Sequence, residues 1–139
     1  MAELGPVLLR VVNKVETTHE SLDRLVTVLD SLVARWPLVG VLVLVEHGTP
    51  KPAPEIRRRA DEVMSSHGDR LVIGYAFLGL GFWTADARGF AAERAALGLS
   101  VFAAGTVHEL VSRVSLELVG VDPELIERSC EQLRAELGL

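Results

Sequence analysis

Apolar positions along the chain change repeatedly between the spacing of buried strands and that of amphipathic helices. Four short, mostly apolar runs predict strands; they are residues 7–12, 38–46, 70–78 and 99–104. The second run is apolar at almost every position, as expected of a central strand covered on both faces. Elsewhere apolar side chains recur every three or four residues, which predicts helices at residues 17–36, 54–66, 82–97, 106–120 and 122–139.

This alternation of strands and helices predicts the fold class. Short connections between strands that are separated by helices favour an α/β domain with helices on both faces of one sheet. We therefore expect a single domain, residues 1–139, with one mostly parallel (mixed) sheet of four to five strands. The core is expected at about residues 7–114, and residues 122–139 are expected to form an extra C-terminal helix.

Polar residues mark where several of the helices should begin. Thr17 with Glu20, and Thr106 with Glu109, have the spacing of a capping box, in which two side chains bond to each other's backbone amides. Asp122 is placed to cap the last helix. One face of that helix carries an apolar stripe: Leu125, Ile126, Cys130, Leu133 and Leu137.

Composition and charge narrow the classes of function. The net charge of -5 argues against a nucleic-acid partner, because Lys and Arg contacts dominate affinity for phosphate chains. The single cysteine excludes an intramolecular disulfide and fits a reducing compartment. The longest apolar run, residues 37–45, is far shorter than the roughly 20 residues that span a bilayer. We expect a soluble cytoplasmic protein without membrane insertion.

Candidate chemistry first appears in the segment VEHGTPKPAPEIRRR, residues 45–59. Glu46, His47 and Thr49 follow a buried strand, and ligands of open α/β sheets bind beyond such strand ends. His47 as a base and Thr49 as a nucleophile would make this an active-site loop. Such a pair also needs an orienting acid, and three closely spaced prolines favour a rigid turn, so we interpret the segment as a connection.

A second candidate is the glycine pair Gly79 and Gly81, in GLGF after the third predicted strand. A dinucleotide-binding fingerprint requires a third glycine, where this chain has Thr84. Nucleotide binding is therefore not predicted. The turn still opens a helix, and the free amides of a helix start favour anions.

The helix after that turn concentrates aromatic side chains. Phe82, Trp83 and Phe90 lie close together in a chain with only 5% aromatic residues. Because Phe82 and Trp83 are adjacent, one helical stripe cannot bury both equally. We expect an interface or the mouth of a pocket at this helix.

No motif of a cofactor-dependent or metal-dependent enzyme is found in the sequence. There is no phosphate-binding loop and no His-Glu-x-x-His motif. The histidines 19, 47, 67 and 108 are too scattered for two to share a helical face at ligand spacing. We therefore expect no catalytic residues, no metal and no cofactor, and we predict that the protein is not an enzyme.

Three segments together resemble the STAS domain, the fold of bacterial anti-sigma-factor antagonists, and in particular short STAS-like bacterial proteins of unassigned function. They are VGVLVLVEHGTPKPAPEIRRRADEV, RLVIGYAFLGLGFWTADARGFAAERAA and LSVFAAGTVHELVSRV. The resemblance implies a four- or five-stranded sheet with helices and a role through protein contacts. Antagonists of this family are phosphorylated on a serine at the helix start after the central strand. Here that start reads PKPAPEIRRR, which leaves Thr49 as a displaced candidate.

These observations predict a non-enzymatic regulatory or protein-interaction module with an unknown protein partner. The alternative is a small-molecule or lipid-binding protein, because related folds include lipid-binding modules of the Sec14 type. Its pocket would lie at the strand ends, between the loops after Val45, Leu78 and Ala104. The stripe on the last helix and the aromatic helix also lead us to expect a homodimer.

Overall fold

The computed structural model describes residues 1–79 and 84–139, except for the side chains of residues 84–87 and 90. Within these ranges the strands are β1 (Ala2–Leu4), β2 (Val7–Val12), β3 (Val39–Glu46), β4 (Leu71–Leu78) and β5 (Ser100–Ala104). The helices are α1 (His19–Arg35), α2 (Pro54–His67), α3 (Thr84–Ala96), α4 (Val107–Glu117) and α5 (Pro123–Glu136). The predicted α/β class is confirmed.

The sheet follows the order of the chain, β1-β2-β3-β4-β5. Strands β2 to β5 are parallel, and β1 pairs with β2 in the antiparallel direction. Parallel strands that advance in one direction through right-handed crossovers place all their connecting helices on the same face. Helices α1, α2 and α3 therefore cover one face of the sheet, and the chain after β5 is left to cover the other.

The side chains in the core show this division. On the face of α1 to α3, one residue of each parallel strand forms a row across the sheet: Leu8, Val41, Ile73 and Val101. This row packs against Leu29, Leu32 and Met64 of the helices. On the opposite face, Leu9, Leu42 and Ala104 pack against α4 and α5. Both faces of β3 are buried, which explains why its sequence is apolar at almost every position.

Strand β1 was not predicted from the sequence. It is only three residues long and pairs Leu4 with Val7 across a turn formed by Gly5 and Pro6. Gly5 has φ +57°, a conformation that glycine adopts without steric cost. A strand this short shows no alternation of apolar and polar residues, so the sequence carries no signal for it.

Helix ends agree with the sequence at most positions. Thr106 caps α4 through its hydroxyl, which accepts from the Glu109 amide at 3.1 Å, and Asp122 caps α5. The prediction for α1 is wrong by one residue: Thr18 is the N-cap, and its box partner is Ser21 instead of Glu20. The Ser21 hydroxyl accepts the Thr18 amide at 3.0 Å and so takes the usual part of a glutamate.

Helix α5 is part of the core. Ile126 and Cys130 are 2% and 0% exposed and pack in the cluster formed by α4 and the sheet. The predicted stripe is only partly buried, because Leu125 and Leu137 stay 42% and 51% exposed. Leu125 lies at the angular edge of the stripe, and Leu137 is the C-cap residue beyond the last turn, so both are outside the buried contact face.

Two glycines let α4 approach the sheet closely. A Cβ atom on Gly40 would lie 2.7 Å from Leu118 Cδ1, and one on Gly74 would meet Leu110 and lie 2.9 Å from Phe102 Cε2. Side chains at both positions would therefore overlap atoms on the α4 face. Close packing here fixes the distance between α4 and the sheet. Because α5 packs against α4, the position of α5 is fixed as well.

Candidate functional site

The parallel strands end together at one edge of the sheet, where a cavity opens. Its walls come from the ends of β2, β3, β4 and β5, from the start of α4 and from α5, and its volume is about 620 Å³. We call it the carboxyl-end cavity. The residues that line it are Asn13, Lys14, Glu46, His47, Leu78, Gly79, Gly105, Thr106, Val107, His108, Glu127, Glu131, Arg134 and Leu139. Glu46, His47 and Gly79, which the sequence singled out, are thus brought to one place.

Glu46 is held by an arginine from α5. The Arg134 Nη2 and Nε atoms donate to Glu46 Oε1 at 2.7 and 3.0 Å, and Nε also lies 3.3 Å from Oε2. The Glu46 side chain is 5% exposed, and that of Arg134 is 26% exposed. The hydrogen bonds to Glu46 raise the pKa of Arg134 above its usual value. A buried carboxylate with this partner ties α5 to the end of β3.

Gly79 is explained by its contact with His47. A Cβ atom on Gly79 would lie 2.6 Å from His47 Cβ, and the glycine has φ +119°. Both the backbone conformation and the nearby imidazole therefore require glycine at this position. His47 itself is exposed at the rim of the carboxyl-end cavity.

Thr49 bonds to the backbone and lines a different cavity from His47. Its hydroxyl accepts the Lys14 amide at 3.0 Å and donates to the Val12 carbonyl at 3.2 Å. The residue is 5% exposed and lines a different cavity, between the sheet, α1 and α2. These bonds fasten the turn after β3 to the end of β2, which agrees with the interpretation of this segment as a rigid connection.

The remaining predicted site residues cannot be placed. Gly81, Phe82 and Trp83 lie outside the described residues, and so does the side chain of Phe90. The expected aromatic interface therefore stays a prediction.

Two residues at the end of β2 were missed by the sequence analysis. Lys14 has φ 56°, the only positive φ of a non-glycine residue in the part of the chain described here. The adjacent Asn13 has a buried Oδ1 atom without a hydrogen-bond partner among the described residues. Both residues line the carboxyl-end cavity. The only available signal was the Asn-Lys pair directly after an apolar strand, and this pattern also marks ordinary turns.

The cavity contains charged side chains, and those that the structure describes do not form a metal site. His108 Nδ1 lies 3.2 Å from Glu127 Oε2, but the His108 side chain is 78% exposed, so water screens this pair. Among the residues the structure describes, no three His, Cys, Asp or Glu side chains come together to hold a metal ion. Arg134 is bonded to Glu46, and the other polar residues of the lining that could meet a ligand or a partner include Lys14, His47, His108 and Asn13.

Comparisons with protein-family models, with curated proteins and with solved structures gave no match. None of the described helices has the length and apolar character needed to cross a membrane. The resemblance to STAS domains stays a prediction.

The Glu46–Arg134 pair should stabilise the protein strongly. We expect Arg134→Met and Glu46→Gln each to lower the free energy of unfolding by about 2–4 kcal/mol. Each change leaves the other residue charged and partly buried without an opposite charge beside it. In a double-mutant cycle measured by urea unfolding, the two changes should be coupled by more than about 1 kcal/mol.

The exposed pair Arg35–Glu3 provides the control. Its side chains are 58% and 49% exposed at 3.4 Å, so Arg35→Met and Glu3→Gln should be coupled by less than about 1 kcal/mol. Equal coupling for both pairs would contradict the structural role assigned to Glu46.

Proposed function

We propose that this chain is a non-enzymatic regulatory or protein-interaction module of STAS-like type that acts in the cytoplasm. The five-stranded sheet and its helices agree with what the resemblance implies for the fold. The surface proposed to meet a protein partner is the rim of the carboxyl-end cavity, where His47 and His108 are exposed.

One observation carries this proposal: the candidate base and the candidate nucleophile face different cavities. His47 is exposed at the carboxyl-end cavity, whereas the Thr49 hydroxyl is buried and bonded to the backbone of residues 12 and 14. Proton transfer requires the two groups within hydrogen-bond reach of each other or of a shared substrate. This arrangement supports binding over acyl or phosphoryl transfer.

The burial of Thr49 also argues against a phosphorylation switch at that residue. A kinase must reach the hydroxyl, and this one is 5% exposed and donates to the Val12 carbonyl. A phosphate there would add about two negative charges to a buried site and break both backbone bonds. We therefore propose that association with the partner does not depend on phosphorylation of Thr49.

A turnover assay tests the non-enzymatic proposal. We expect hydrolysis of p-nitrophenyl acetate, p-nitrophenyl phosphate and ATP by the purified protein to stay at the buffer rate, because His47 and Thr49 line different cavities. His47→Ala should leave that rate unchanged, as should the control His67→Ala, which lies on α2 away from the cavity. Turnover that exceeds the buffer rate, disappears in His47→Ala and persists in His67→Ala would refute the proposal.

We further propose that two copies associate through the outer face of α5. Leu125, in the first turn of α5, and Leu137, its C-cap residue, are exposed, and the C-terminal residue Leu139 is 45% exposed. Exposed apolar side chains at both ends of one helix favour burial against a second copy, and symmetric dimers are the commonest result.

A second candidate function is the binding of a small molecule or lipid in the carboxyl-end cavity. The unpartnered Asn13 Oδ1 favours it, since a buried acceptor without a donor costs free energy that a ligand donor would recover. The loops after Val45, Leu78 and Ala104, which the sequence analysis expected to form a pocket, contribute residues to this cavity.

Native mass spectrometry tests both of these proposals on the full chain. We expect the mass of two chains for the unmodified protein and of one chain for Leu125→Gln combined with Leu137→Gln. The control Val15→Gln, at a residue 62% exposed before α1, should remain a dimer. A monomeric unmodified protein at high concentration would refute the dimer.

A stoichiometric extra mass in protein from its source cells, lost in Asn13→Ala, would support the second candidate, and clean apo protein would count against it.

A further inference from the structure

A second cavity lies between α1, α2 and the sheet, on the face opposite α4 and α5. Its volume is about 180 Å³, and its walls are apolar side chains of both helices and of the middle strands. We call it the helix-covered cavity. An apolar cavity of about 150 Å³ engineered in another protein holds a benzene molecule, so this one has room for a small organic ligand.

Arg10 is the exceptional side chain of this cavity. It lies on β2, and across the sheet it is aligned with Val43 of β3 and Tyr75 of β4. Leu8 and Val12 precede and follow it on the same face of β2. An arginine in the middle of a helix-covered strand is costly, because its charge leaves water for an apolar environment. Burial accordingly lowers the pKa of Arg10 from its usual value, although the group remains charged.

The described residues do not compensate this charge. The one hydrogen bond of Arg10 joins Nη2 to Ser21 Oγ at 3.5 Å, and no carboxylate in the described part of the chain forms an ion pair with it. Two side chains act on its charge: Tyr75, which stays an uncharged phenol at neutral pH because burial raises its pKa to about 12, and Arg24, which is another cation. The Ser21 hydroxyl is already engaged by the backbone of Thr18. Among the described residues the guanidinium therefore has no anionic acceptor.

The walls around Arg10 indicate which kind of anion fits. Towards the amino ends of the strands the cavity is lined by Leu29, Met64 and Ile73, all of which are buried and apolar. Towards the carboxyl ends it is lined by Lys51 and by Arg57, which is exposed, so the cavity meets solvent on this side. The cavity is thus apolar at depth and opens near the carboxyl ends of the strands.

We propose that the helix-covered cavity binds a small apolar monocarboxylate, with the carboxylate on Arg10 and the hydrocarbon part between α1 and α2. A planar carboxylate matches the fork of a guanidinium and forms two parallel hydrogen bonds with it. Its single charge balances the one arginine of the sheet surface. The stacked rings of Tyr75 and Phe77, 5.9 Å apart, form a flat wall beside the ligand.

The test compares hexanoate with hexanamide, which has nearly the same shape and no charge. Methyl NMR of the full chain should show saturable shifts of the methyl groups of Leu29, Met64 and Ile73 with hexanoate, at a dissociation constant on the order of 1 mM or tighter. Hexanamide should bind at least about tenfold more weakly, because it cannot form charge-assisted bonds to Arg10.

Three variants sharpen the test. Arg10→Met should abolish the preference for hexanoate while retaining a cavity that accepts hexanamide. Arg128→Met, the same change at an exposed residue of α5, should leave the preference unchanged. Ala60→Phe, on the α2 wall, should fill the cavity and abolish binding of both probes.

Several outcomes would overturn the proposal. These are equal affinity of the unmodified protein for hexanoate and hexanamide, shifts that do not saturate at the cavity methyl groups, or an unchanged preference in Arg10→Met. Tighter binding of hexyl phosphate than of hexanoate would assign the site to phosphate esters instead. If Arg10→Met does not fold, the comparison of the two probes on the unmodified protein still decides.

Discussion

The right-handedness of the strand-helix-strand connections is the constraint on which the rest of this structure depends. Strands β2 to β5 follow one another across the sheet in chain order, so their three connecting helices must all lie on one face. The opposite face would expose Leu9, Leu42 and Ala104 to water if α4 and α5 did not cover it. The C-terminal helix is therefore a necessary layer of the domain, whatever else it does.

This layered arrangement determines what the strand ends can do. Because α5 lies over the carboxyl-end edge, Arg134 reaches Glu46 and forms an ion pair with this buried carboxylate. On the other face, Thr49 closes the turn after β3 by bonding to the backbone of β2. Glu46 and Thr49 both stabilise the fold through these bonds, and the same layers leave separate carboxyl-end and helix-covered cavities. These features are the basis of the binding function that we propose.

Much of the fold could be predicted from the sequence, and the reasons are local. Strands such as β3 are continuous apolar runs, and caps such as Thr106 and Asp122 act on amides two or three residues away. The partner of Glu46 could not be predicted, because it lies 88 residues further along the chain, among 14 lysines and arginines. Arg10 did leave a signal, a charge inside an apolar strand run. The sequence could not show that this charge lies beneath α1 and α2, because that position depends on the strand register and on helix packing.

Thiol labelling of Cys130 tests most directly whether α5 closes the domain. This one cysteine is fully buried, and burial raises its pKa to about 12, so the reactive thiolate is scarce in the folded protein. If α5 is an integral layer, the free energy of opening obtained from labelling with an aromatic disulfide across urea concentrations should equal the free energy of global unfolding from circular dichroism. Labelling in buffer at the rate of an unfolded thiol, or an opening free energy far below the global value, would show that α5 detaches and would contradict the account.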